Sequence, residues 1–246
     1  MANFATHLSV GTLSSGLLAS ITSSLGVIPS EDLIPLTMVG IIGSILPDID
    51  LKESRPSQVL FSTLGFFFSL VILYASAKKY SISELWILWL GSLVFIRYGT
   101  QALFHNFTVH RGIWHSILSA VFFSLLVAVF VHFFLDYSEF LAWTSALFLF
   151  IGYIIHLLLD EIYSVDFMGG YTKRSFGTAL KLYDTRNLLS GFYMLCGIAF
   201  LISIAPNHEG FFKYLFSSDT WIHLTKNILP QGKWFGVVDL KTLLTF

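Results

Sequence analysis

Seven apolar runs, at about 8–28, 33–46, 59–77, 85–104, 117–135, 141–159 and 188–205, take up most of this 246-residue chain. A helix needs about 20 mostly apolar residues to cross the hydrocarbon of a bilayer. Without water there, each span must satisfy its own backbone hydrogen bonds, and for runs of this length that means helices. The expected fold is an all-α, polytopic transmembrane helical bundle of about six to seven helices. Only 12% of the residues are charged and mean hydropathy is +0.74. A soluble domain carries about 25% charge, so a water-soluble fold is excluded. Fourteen Lys+Arg against fifteen Asp+Glu form no basic block, which argues against nucleic acid as a partner.

The runs differ in character. The first is rich in Gly, Ser and Ala, a composition suited to close helix packing inside a bundle. The second is short and ends at Pro47, so a partial or tilted span is expected. Residues 1–205 read as one membrane domain. Residues 206–246, with Phe211, Phe212, Tyr214, Trp221 and Trp234 among lysines, read as an amphipathic or interfacial C-terminal tail. No Lys or Arg precedes Lys52, so the charged head of a cleavable signal peptide is missing. Cys196 lies in an apolar run and reads as a small buried hydrophobe.

Threading the runs back and forth sorts the polar residues unevenly. One side receives His7, the Asp48–Asp50 loop, the stretch from His105 to Ser116 and the loop that begins at Asp160. The other receives Glu31 and Asp32, Lys78 and Lys79, Asp136 and Glu139, and the tail.

Three motifs carry the chemistry of the first side. In Leu46-Pro47-Asp48-Ile49-Asp50 a proline closes a helix and two carboxylates follow. Short acidic side chains on irregular backbone either converge on a cation or stay solvated as the acids of a turn. In His110-Arg111-Gly112-Ile113-Trp114-His115-Ser116, two imidazoles flank a guanidinium that can hold an anionic oxygen bidentately. Ser116, directly before an apolar run, reads as a helix N-cap. In Gly152-Tyr153-Ile154-Ile155-His156-Leu157-Leu158-Leu159-Asp160, His156 and Asp160 are one helical turn apart and share a face. Ionisable groups at the rim of a span are costly enough to mark function.

With His7, these motifs supply seven candidate metal ligands: His7, Asp48, Asp50, His110, His115, His156 and Asp160. A closed structural zinc site needs four. The surplus points to two ions about 3.5–4 Å apart, or to one ion with outer partners. Imidazole mixed with carboxylate favours Zn as the divalent ion, with Mn or Fe also admitted, over Mg or Ca.

Together, His7 in a small-residue helix and the three motifs resemble the YdjM-like membrane-bound metal-dependent hydrolases, over residues 1 to about 187. The chain departs at Trp114, where that family carries a small Thr. The resemblance implies a multi-pass inner-membrane protein of bacterial type with metal-dependent hydrolase activity. The His-x-x-x-Asp spacing of His156 and Asp160 is also similar to an element of the zinc-dependent phospholipase C superfamily. That similarity points to a phosphoester or lipid-linked substrate and to membrane lipids as partners.

In such an enzyme Asp50 or Glu161 would take the proton of the attacking water, and Arg111 would stabilise the developing negative charge. Lys173, Arg174 and Lys181 could hold a lipid phosphate or serve as positive-inside anchors. Two other classes stay open: a non-catalytic metal-stabilised scaffold, and an ion-coupled transporter, whose charged groups would lie nearer the midplane. Lys52, Arg55, Arg111, Lys173, Arg174, Lys181 and Arg186 outnumber Lys78 and Lys79 before the tail, which places the site on the cytoplasmic side. Arg97, inside the fourth run, is expected to snorkel or to pair with a site carboxylate. His105 ranks below His110 as a ligand, His132 reads as a mid-span packing residue, and His208 and His223 go with the tail.

Overall fold

The computed structural model describes residues 2–50, 54–77, 79–107, 112–166, 171–172, 180–183 and 187–227. His110, Arg111, Lys173, Arg174, Arg186 and Trp234 lie outside them.

Every apolar run is a helix. They are α1 (Phe4–Ser24), α2 (Leu33–Ile45), α3 (Arg55–Ser76), α4 (Ile82–Val94), which continues through a π-helical stretch at Phe95–Thr100 into α5 (Gln101–Phe107), then α6 (Ile117–Phe133), α7 (Glu139–Ile162) and α8 (Leu188–Ile204). Two short helices follow, α9 (Glu209–Leu215) and α10 (Ser218–Asn227). The β-structure among the described residues is an antiparallel ladder of two residues a side, β1 (Val165–Asp166) and β2 (Tyr171–Thr172), and an isolated parallel bridge between Ser116 and Lys181. The protein is an all-α helical bundle. Among the described residues, five stretches are long and apolar enough to cross a membrane, a sixth is reached if the bent pair of α8 and α9 counts as one span, and α6 is a shorter apolar helix.

The second run, expected to be a partial or tilted span, is long enough to cross a membrane. Turns of 3-10 helix at Ser30–Asp32 and Leu46–Asp50 flank α2 and make a continuous 21-residue stretch, Ser30–Asp50. A 3-10 turn rises about 2.0 Å per residue against about 1.5 Å in an α-helix, so Pro47 narrows the helix without shortening its reach.

Helix α7 packs against α1, α2 and α6, and small residues let the backbones meet. A Cβ at Gly152 would lie 2.0 Å from the carbonyl oxygen of Gly40 in α2, and one at Gly11 would lie 2.0 Å from Ser44 Oγ. The buried residues of α1 are His7, Gly11, Ser15, Ala19 and Thr22. That row, repeating every three to four residues, is the inward face its composition predicts. Helix α8 packs on α6 through Met194, Ile198 and Leu201. Cys196 therefore falls on its outer face and is exposed, not buried as read from its apolar neighbours.

The chain bends by 100° between α8 and α9. Phe211 of α9 is buried edge-on to Phe140, and Trp143 Nε1 donates to the Pro206 carbonyl at 3.1 Å. Tyr214 O–H donates to the Leu25 carbonyl at 3.5 Å. The first tail helix thus lies beneath the C-terminal end of α1 and the N-terminal end of α7, and the His208 ring meets Trp143 there. His132 sits at the end of α6, not mid-span, with Nδ1 2.9 Å from the Tyr137 carbonyl.

Candidate metal centre

Four helix ends converge at the opposite end of the bundle. Asn3 caps α1 by accepting from Thr6 N–H, which sets His7 at the end of the first helical turn. The 3-10 turn after α2 carries Asp48 and Asp50. Ser116 caps α6 by accepting from Ser119 N–H, as its position predicts, and leaves His115 just outside that helix. Tyr153 O–H donates to the Trp114 carbonyl and ties the His115 segment to α7. His156 and Asp160 occupy the last turns of α7; at 1.5 Å per residue His156 lies about 9 Å from its end.

The side chains meet in a closed pocket. His7, His115, His156 and Asp160 are fully buried, and Asp50 and Asp48 are 4% and 8% exposed. His115 Nε2 lies 3.6 Å from Asp48 Oδ1 and 3.9 Å from Asp160 Oδ2. His156 Nε2 lies 3.6 Å from the same Asp48 oxygen and 4.0 Å from the same Asp160 oxygen. Both imidazole nitrogens therefore face one Asp48 oxygen, and Asp160 Oδ2 lies slightly farther from each of them. Neighbouring ligand atoms around a tetrahedral ion with bonds of about 2.1 Å are separated by about 3.4 Å. His156 Nε2, Asp48 Oδ1 and Asp160 Oδ2 make no hydrogen bond, although burying polar atoms unsatisfied is expensive. The residues fit a divalent cation, and these buried His and Asp groups could hold one.

The outward atoms of three of these side chains are engaged. The Ser44 carbonyl lies 2.8 Å from His156 Nδ1; a proton must sit on that nitrogen for the contact to hold, which leaves Nε2 with its lone pair toward the cluster. Asp50 Oδ2 lies 3.4 Å from His115 Nδ1. Asp160 Oδ1 takes Ala2 N–H at 3.1 Å and faces His7 Nε2 at 3.2 Å. The His7 ring stacks flat on His156, 3.7 Å between centroids. His7, His156 and Asp160 also form a second group able to hold a cation, which shares His156 with the group of Asp48, His115 and His156. Burial opposes a charged His115, yet the carboxylates of Asp48 and Asp50 outweigh it and hold its pKa up at about 9. In the ion-free protein a proton stands in for the cation.

The other expected residues fall elsewhere. His110 and Arg111 lie outside the described residues. Glu161 Oε2 faces Leu180 N–H at 3.4 Å and belongs to neither cation-holding group. Arg97 forms no ion pair with a site carboxylate among the described residues; its guanidinium lies over the Tyr98 ring, 4.9 Å from the centroid. His105 is buried against Ser57, a pairing across 48 residues that no local motif announces.

A family model for the YdjM inner membrane protein matches residues 1–170. The chain belongs to the YdjM inner membrane protein family. No curated protein and no solved structure matches it. The part shared with the YdjM family ends after α7 and short of residue 187, the limit read from the motifs. It contains all six clustered residues and leaves α8, α9 and α10 outside.

Proposed function

We propose that this YdjM-family protein is a membrane-embedded, metal-dependent hydrolase acting on a phosphoester or lipid-linked substrate at the cytoplasmic face of a bacterial inner membrane. The observation that carries the reading is the buried pair of cation-holding groups, Asp48 with His115 and His156 and, beside it, His7 with His156 and Asp160. Asp48, His115 and His156 would hold one divalent ion and leave a position open, with Zn preferred for a set of imidazole and carboxylate donors. His7 and Asp50 stand behind Asp160 and His115 and aim them.

When bound there, a divalent ion would supply an activated water and polarisation of the oxygen of the bond to be cut. The chain's own residues do the rest. Asp48 is the most open of the set, its side chain 11% exposed, so water and substrate approach past it. Asp50, with its carboxylate behind the His115 ring, takes up positive charge through that ring and does not meet the water directly. A site at the helix ends meets headgroups, which favours lipid substrates and speaks against a carrier with its charges at the midplane.

The test is a screen of phospholipids and lipid-linked phosphates on the detergent-purified, metal-loaded full chain. Asp48→Ala should lose both bound metal and turnover. A variant that keeps full occupancy and full activity contradicts the assignment. Tight metal binding without turnover of any substrate favours the scaffold.

A further inference from the structure

We infer that His105, acting through Ser57, is a positioning residue for the metal centre: it fixes the first turn of α3, which in turn holds the backbone of Asp48. The inference rests on the reading of Asp48 as a ligand. Ser54 caps α3 by accepting Ser57 N–H at 3.1 Å, and its own hydroxyl donates to the Asp48 carbonyl at 2.6 Å. Ser57, two residues past the start of α3, is fully buried, and its Oγ lies 3.0 Å from His105 Nε2. His105 is itself 6% exposed and packs edge-on to Phe61. A continuous path of hydrogen bonds therefore runs from α5, across the cap of α3, to the residue that supplies Asp48 Oδ1.

The Leu46–Asp50 turn is only five residues of 3-10 helix, with longer and less well aligned hydrogen bonds than an α-helix. Such a turn does not set the aim of two carboxylates by itself. The helix N-terminus beside it is rigid once its cap is closed, and His105 ties that N-terminus to a second helix. Placed inside a membrane, a buried hydroxyl–imidazole contact has no water to exchange with, so it holds its partners in one arrangement. Outer partners of metal ligands are worth roughly 10- to 100-fold in affinity, and this path reaches a ligand through its backbone.

The test titrates Zn2+ into the chelator-treated full chain in detergent and records the Co2+ absorption spectrum as a second readout. Ser57→Ala and His105→Phe should each weaken binding by roughly tenfold, the double variant no further because both delete one contact, and the Co2+ bands should shift. His105→Gln, which keeps a hydrogen-bonding group, should recover part of the loss. Ser69→Ala removes an equally buried hydroxyl from the same helix, one that donates locally to the Phe66 carbonyl, and should bind as the parent does. Parent-like affinity and spectra in Ser57→Ala and His105→Phe, or equal weakening in Ser69→Ala, would overturn the inference while leaving the metal reading intact. A parent chain that binds no ion would overturn both.

Discussion

His156 reaches the cluster by only one of its two nitrogens, because the Ser44 carbonyl occupies the other. That single contact makes it a ligand of fixed aim, and it predicts an uneven mutational pattern. His156→Ala should remove the bound ion altogether. Asp50→Asn, one step back behind His115, should leave a site that loads about 10- to 100-fold more weakly. Equilibrium dialysis of the two variants against zinc tells these outcomes apart. The raised pKa of His115 gives a pH dependence with a definite sign. Its folded value of about 9 lies above the ordinary 6.5, so an ion entering below about pH 9 must expel a proton. Affinity should rise as pH climbs from 6.5 toward 9 and then level off. For the ion-free protein the sign is opposite: the stabilisation is complete below about 6.5 and is lost as pH passes 9. Thermal unfolding of the ion-free chain across that range should show a falling Tm, and a flat profile in both measurements would contradict the assigned charge state.

At the scale of elements, the bundle depends on backbones approaching where glycine leaves room. Gly152→Ala pushes a methyl group into the Gly40 carbonyl and should cost about 1–3 kcal/mol by forcing α2 and α7 apart. Because α2 leads to Asp48 and α7 carries His156, that variant should also load metal poorly. Gly16→Ala, on α1 with nothing within 4 Å of the new methyl group, should be neutral or slightly stabilising. Denaturation in detergent with metal analysis measures both variants. Much of this level was legible in the sequence. The apolar runs become helices, and the small-residue character of the first run becomes its buried face. His156 and Asp160 declare themselves because one helical turn joins them. His105 does not: its partner Ser57 is distant in sequence, and polar contacts between spans leave no periodic trace. Arg97, expected to snorkel or to pair with a site carboxylate, lies in the π-helical stretch that packs on α3, with its guanidinium over the Tyr98 ring. Glu161 adjoins Asp160 in sequence, yet a helix turns about 100° per residue and aims it toward the segment at Leu180.

For the whole molecule, the apolar helices thread so that the N-terminal end of α1, the C-terminal ends of α2 and α7 and the N-terminal end of α6 share one end, with the start of the tail at the other. Sorting polar residues by alternating spans reproduces that division, because an error of one span would scatter His7, Asp48, His115 and Asp160. A topology test follows. With Cys196 replaced by serine, a cysteine at Leu182, which is exposed beside the start of α6, and one at Asp219 in α10 should be labelled from opposite faces of sealed vesicles. On the proposed orientation, Leu182 should be the one labelled from the cytoplasmic face. Labelling of both from one face would require an even number of crossings between them.

The central claim is that buried groups from four separate helix ends hold one divalent ion. Elemental analysis of the full chain purified in detergent measures it directly, with His156→Ala prepared alongside. The account predicts one divalent ion per chain in the parent and almost none in the variant. A metal-free parent after loading, or a variant that retains its ion, would contradict it.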